Sequence, residues 1–354
     1  MPSDKSLKLI MNLLHHSGAA RMASRWLRGR GAIFMLHRVT PLAPGSFAPN
    51  SHLTVTPEFL ERSIARLKAR GFELVSMDEA ARRITARESK GENAAPFAAF
   101  TLDDGYQDNH DYAVPLFRRF NVPFTIYVAP GLVDGSATLW WEDLEKLVAA
   151  RDNIFIDLPS GRMEVDLRDL KQKEQGHADL LRYLTTGMDE RRIQPFVREL
   201  CWMYGVDTTL PPERQVMDWQ AIARLAADPL CTIGAHTINH YALARLPVDL
   251  ALEEMSESAR LIELETGVWP QHFAYPYGYP AAAGRREFTM ARQLGFKTAV
   301  TTRHGVCYHE HADQLTALPR ISLNGRFQKT KYVATMASGA TTRLANKGGK
   351  LNVN

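Results

Sequence analysis

Two short segments of this 354-residue chain carry residue types that could do chemistry together. One apolar run, Phe97–Leu102, ends in Asp103–Asp104–Gly105; another, Cys231–Ala235, ends in His236–Thr237–Ile238–Asn239–His240. Adjacent carboxylates at the end of a buried strand repel each other unless a cation lies near them. The bland alternative is a helix cap, with the aspartates bonding backbone amides near Tyr106 to Asn109. His236 and His240 are spaced i, i+4, which places both imidazoles on one face of a helical turn. Two histidines and a carboxylate form a common three-ligand zinc set that leaves a position for water. Thr237 stands where a zincin would carry its catalytic glutamate, so an HExxH protease is excluded. A glycosidase pair needs carboxyls roughly 5–9.5 Å apart across a sugar ring, which neighbouring residues fit poorly. A further cluster, His304, His309 and His311, lacks a strand-end carboxylate and is the weaker metal candidate.

Seven strand-like runs must position these groups: Ala32–Leu36, Glu73–Ser76, Phe97–Leu102, Phe124–Val128, Cys231–Ala235, His272–Tyr275 and Lys297–Thr301. Amphipathic stretches separate them, among them Pro57–Arg70, Asp218–Ala227, Asp249–Glu265 and Arg285–Leu294. Repeated β-then-α units predict a parallel α/β barrel with seven or eight strands, rather than a doubly wound sheet, because no Gly-rich phosphate loop follows any strand. His37–Arg38, Asp103–Asp104, His236–His240 and Pro276–Tyr277–Gly278 all fall at carboxyl ends of these strands, the rim where barrel sites are built. Residues 138–216 interrupt the alternation and read as an inserted, mainly helical cap. Within it we expect a helix from Trp140 to Ala150 and a hairpin turning through Pro159–Ser160–Gly161–Arg162. Helices near Leu167–Leu184 and Asp189–Tyr204 follow. The barrel then comprises residues 31–137 and 217–322.

The chain resembles a known family at three places. Thr101–Leu102–Asp103–Asp104–Gly105 resembles the TFDDG motif of the polysaccharide deacetylase family (NodB homology domain, carbohydrate esterase family 4). His236–Thr237–Ile238–Asn239–His240 matches its H[ST]xxH motif, and Phe273–Ala274–Tyr275–Pro276–Tyr277–Gly278 resembles its third motif more loosely. The resemblance implies a distorted (β/α)7-8 barrel of the NodB type. It implies Asp103 as general base, and Asp104, His236 and His240 as ligands of one divalent ion, Zn²⁺ by ligand type, with Co²⁺ or Ni²⁺ also accepted. The backbone amide of Tyr277 would then help form an oxyanion hole. Two departures matter. The third motif usually carries an arginine that pairs with the base, where this chain has Ala274; Arg320, in Leu318–Pro319–Arg320–Ile321, is the expected substitute. The usual late leucine–histidine motif that supplies the general acid is not recognisable. His37 resembles an early histidine that serves as the acid in the branch with periplasmic exopolysaccharide deacetylases, and a packed structural histidine is its alternative.

Composition narrows the classes. Hydrophobic residues make up 45% and charged residues 23%, ordinary globular proportions that exclude disordered and collagen-like chains. Cys201, Cys231 and Cys307 have no CxxC spacing and read as free thiols of a reducing compartment. No apolar run reaches the roughly 20 residues of a membrane-spanning helix. Residues 1–31 carry six bases against one acid, and residues 326–354 six bases and no acid; with a total of +4, the body between is at −7. A nucleic-acid partner is not expected on such an acidic body. Leu7, Ile10, Leu14, Met22, Trp26 and Leu27 read as the stripe of a basic amphipathic helix in residues 1–30. The expectation is a cytoplasmic protein whose basic ends either touch anionic lipid at the inner membrane face or are two solvated tails. Residues 323–354 read as a basic tail, disordered beyond Ala337. The expected substrate is an N-acetylated glycan or glycan precursor. Alternatives are a lipid-linked N-acyl amino sugar, or a catalytically silent glycan-binding module.

Overall fold

The computed structural model describes residues 4–41, 43–86, 95–158, 161–208 and 215–351. Seven parallel strands close a barrel: β1 (Gly31–Leu36), β2 (Phe97–Leu102), β3 (Phe124–Val128), β4 (Cys231–Ala235), β5 (His272–Ala274), β6 (Thr298–His304) and β7 (Leu318–Ser322). Neighbours follow chain order. β7 closes on β1 through Phe34↔Ile321, and β1 meets β2 from Gly31↔Phe97 to Leu36↔Leu102. The short segment Glu73–Leu74 adds to β2 alone, so it lies outside the ring.

The apolar runs are strands with two buried faces, as a barrel wrapped by helices requires. Along β2, Ala98, Phe100 and Leu102 pack outward with Phe117 and Phe124 beneath the helices. Phe97 and Ala99 instead join Ile33, Tyr127, Ala274, Val300 and Leu318, the alternate set that fills the ring. Continuing the period of two sends Thr101 and Asp103 inward from β2, and Arg320 inward from β7. Gly234 on β4 makes room for this filling, because a Cβ there would stand 2.4 Å from the Tyr127 ring.

Helix starts carry their own signals. Thr56 accepts from the Phe59 amide at 3.2 Å, with Pro57 opening the Pro57–Ala69 helix. Residues 138–208 build a layer over the barrel mouth from the Trp140–Ala150 helix, an antiparallel hairpin (Asn153–Leu158 with Gly161–Asp166) and the Leu170–Gly187 and Ile193–Met203 helices. The expected hairpin turn includes Pro159 and Ser160, which lie outside the described residues. This layer has a core of its own, around Trp140, Leu144, Leu147, Ile154, Leu180, Val197 and Leu200.

Both ends differ from the sequence reading. The N-terminal stripe is divided between two helices, Asp4–His16 and Ala19–Leu27, by Gly18 at φ +73°. At the end of the first helix Ser17 donates both its amide and its hydroxyl to Leu13 O, at 3.0 and 2.7 Å. The residues left exposed are Leu9, Leu13, Met22 and Trp26 rather than the whole expected stripe. The segment after Ala337 is not loose: a helix at Ala340–Ala345 follows the turn at Gly339, and Thr342 is buried, accepting from the Val306 amide at 3.1 Å. Gly339 allows this close docking, since a Cβ there would lie 1.8 Å from Leu27 O. No helix among the described residues is long and apolar enough to cross a membrane.

Candidate active site

Asp103 leaves the end of β2 pointing into the ring, 2% exposed. Arg320 from β7 meets it with two parallel bonds, Nη1 to Oδ1 and Nη2 to Oδ2, both 2.7 Å. The guanidinium is itself 1% exposed and is held by Thr301 O at 2.9 Å and by Thr101 Oγ1 at 3.1 Å. Burial alone would raise the Asp103 carboxyl; the Arg320 charge and hydrogen bonds, aided by His236 and His37, outweigh it and hold the carboxyl below its ordinary value. Asp103 is thus an ionised carboxylate kept in a dry place by a forked partner.

Asp104 turns the other way because its backbone is left-handed, at φ +73°. Its Oδ1 is fully buried and makes no hydrogen bond, while His236 Nε2 stands 3.3 Å and His240 Nε2 3.2 Å from it. His236 Nδ1 lies 2.7 Å from Ala274 O, a contact that requires the proton on Nδ1 and leaves the Nε2 lone pair facing Asp104. The three donor atoms all fall within 4.8 Å of one another, and this is the one such group among the described residues. Lone pairs that converge on a buried, unbonded carboxylate oxygen fit a divalent cation better than any protein partner. Burial again opposes the Asp104 charge, but His240 and His236 hold its carboxyl well below the usual range, whereas for His240 burial prevails and lowers its basicity. Thr237, His240 and Tyr277 share the positive φ of Asp104 at +59°, +56° and +60°. Strained backbone of this kind, about 1–3 kcal/mol each, gathers where side chains must be aimed.

His37 follows β1, partly buried, with Nε2 3.9 Å from Asp103 Oδ2. Tyr277 follows β5; its hydroxyl accepts from Trp140 Nε1 at 3.0 Å, and its backbone N–H is engaged by no hydrogen bond among the described residues. These groups line a cavity of about 420 Å³ together with Trp140, Trp141, Leu181 and Thr185 of the inserted layer. The Trp141 ring packs 4.8 Å from His240, and His240 packs 4.9 Å from Tyr277.

Two residues that aim the site went unnoticed in the sequence. Glu254 accepts from the amides of Ile238 and Asn239, each at 2.9 Å, and so folds the His236–His240 turn. Its signal was an acid on the buried face of the Val248–Thr266 helix, in line with Ala251 and Ser258. Asp108 accepts from Arg38 Nε at 2.8 Å and from the Val39 amide at 3.0 Å, which pins the segment carrying His37. The His304–His311 cluster does not converge. His304 bonds Thr341 at 2.8 Å, His309 lies 3.0 Å from Ile84 O, and His311 accepts from the Tyr308 amide at 3.0 Å.

The structure thus sets an Asp–Asp pair and an H-x-x-x-H turn at the mouth of a closed parallel barrel. Residues 188–299 match the model of the polysaccharide deacetylase family. The fold resembles that of IcaB from Ammonifex degensii at TM-score 0.55 and 17% identity, covering 88% of this chain and 98% of that one. It also resembles the Streptococcus pyogenes deacetylase PplD, solved in complex with acetate, at TM-score 0.50 and 17% identity over 83% of this chain and 92% of that one. The polysaccharide deacetylase BC0361 from Bacillus cereus shares it at TM-score 0.52 and 14% identity, over 86% and 68%. At these identities the likeness is one of fold. No curated protein matches the chain. The family match spans under a third of the chain, and with the shared barrel it makes the chain similar to the polysaccharide deacetylases.

Proposed function

We propose that the protein removes the N-acetyl group from an amino sugar of a glycan or glycan precursor. The observation that carries the reading is the pairing, at one barrel mouth, of an arginine-held carboxylate with a convergent Asp104–His236–His240 donor set. Those three residues would hold one divalent ion, Zn²⁺ by donor type, which polarises the acetamide oxygen and acidifies a water. Asp103 takes the proton of that water at Oδ1 or Oδ2; Arg320 keeps it ionised and fixes its plane, so the base is aimed before substrate arrives. The Tyr277 amide, free to donate, stabilises the developing oxyanion, typically worth roughly 2.7–4 kcal/mol. His37 returns a proton to the departing amine. Trp140, Trp141 and Tyr277 line the cavity in which a sugar ring would sit, and the inserted layer limits water.

Ala274, standing where the resemblance implies an arginine, would by itself favour a silent binding module. Arg320 supplies the same charge from a different strand, which favours the enzyme. Acetate release from chitooligosaccharides by the metal-loaded protein, lost in Asp103→Asn, tests the reading. Sugar binding without acetate release from any N-acetylated glycan tried would sink it.

A further inference from the structure

A second cavity lies away from the barrel mouth, where the N-terminal helical pair meets the end of the Pro57–Ala69 helix and the Thr330–Ala337 helix. It holds about 530 Å³ and is lined by His15, His16, Arg21, Arg66 and Arg70 among others, with no acidic residue among the described residues of its wall. Lys331 adds a further base, its Nζ 3.4 Å from His16 Nε2. Arg66 Nε is fully buried and meets no hydrogen-bond partner. Like charges crowd one another here: burial, then His16, Arg66 and Lys331 lower the basicity of His15, and burial, then Arg66 and Arg21 lower that of Arg70. Guanidinium forks brought together in one wall present the donor geometry that recognises a phosphate.

The same two helices hold large apolar side chains in water. Leu9 is 60% exposed, Leu13 61%, Met22 73% and Trp26 71%. Each helix contributes an i, i+4 pair, and His16, on the face of Leu9 and Leu13, brings that face to the cavity rim. An apolar ridge joined to a cationic pocket is the chemistry of a surface that enters the headgroup layer.

We propose that this cavity binds a phosphate anion, and that the phosphate is the headgroup of an anionic lipid into which Leu9, Leu13, Met22 and Trp26 dip. The site shares no lining residue with the barrel-mouth cavity and is independent of the deacetylase reading.

The test uses the full chain with vesicles of phosphatidylglycerol or of phosphatidylcholine alone, and inorganic phosphate as the soluble probe. Sedimentation with phosphatidylglycerol vesicles is expected, and not with phosphatidylcholine. Arg66→Gln/Arg70→Gln should weaken it on the order of tenfold or more, at about 1 kcal/mol per basic group. Met22→Ser/Trp26→Ser should weaken it at unchanged charge. Arg21→Gln, a change at an exposed position, serves as the milder charge variant should the double variant fold poorly. Wild-type vesicle affinity in both charge variants overturns the proposal. Thermal stabilisation by phosphate that is lost in Arg66→Gln/Arg70→Gln, without any vesicle binding, overturns the lipid source and leaves a soluble phosphate as the ligand.

Discussion

The histidines at the barrel mouth and those of the 304–311 segment put the same side chain to opposite uses. At the barrel mouth, His236 and His240 turn their Nε2 atoms toward one carboxylate oxygen, with His236 fixed from behind by Ala274 O. In the 304–311 segment each ring finds a separate neutral partner, and burial pushes His311 down to about 4. Counting ligand types does not separate the two. Convergence does, and it is produced by a carboxylate on another strand end and by backbone forced to positive φ at Asp104, Thr237 and His240.

The sharpest way to break this contrast is metal analysis. About one equivalent of divalent ion is expected for the wild type, lost in Asp104→Ala and His236→Ala and retained in His309→Ala. Metal that follows His309 instead would move the centre to the other cluster. Next in size, Asp103→Asn should keep the ion and lose roughly 10²–10⁴-fold in turnover, the usual scale for a general base. Arg320→Met should cost about 3–5 kcal/mol of stability by leaving a buried carboxylate unpaired. Wild-type melting of Arg320→Met would mean that Asp103 does not depend on it. A smaller effect is expected at His37. His37→Ala should slow amide cleavage while an activated ester, whose leaving group needs little protonation, is largely spared. Equal losses on both substrates would make His37 structural.

How much of this was legible in the sequence follows from how local each signal is. Phe97–Leu102, Phe124–Val128 and Cys231–Ala235 are read to the residue because strands buried on both faces are unbroken apolar runs. The chemistry at their ends was equally visible, since the motifs are contiguous. The partnership of Arg320 with Asp103 was only half visible: the period of two turns each inward, but that they meet depends on β7 closing the ring onto β1 and thence β2. Glu254 and Asp108 act across turns and leave no motif. The C-terminal helix escaped for the same reason, being held by Leu27, His304 and Val306 rather than by any apolar stripe of its own.

The smallest expected effect sharpens the comparison from the other side. His311 is fully buried, and its Nδ1 accepts from the Tyr308 amide, so the folded protein favours the neutral ring. Its basicity is lowered to about 4 from an ordinary 6.5, mainly by burial, so the unfolded chain binds the proton more readily. The stability this contributes is complete above pH 6.5 and is lost progressively as pH falls toward 4. Between pH 6.5 and 5 the loss should approach about 2 kcal/mol, at 1.36 per unit. Asp103 behaves oppositely: its lowered carboxyl stays ionised and paired across that window. His311→Asn keeps an acceptor for the Tyr308 amide and cannot titrate. Melting curves of this variant should therefore flatten between pH 6.5 and 5 relative to the wild type, with metal content unchanged. If the acid slope survives the substitution, the proton is taken up elsewhere and the 304–311 histidines are not the neutral counterpart of the barrel-mouth pair.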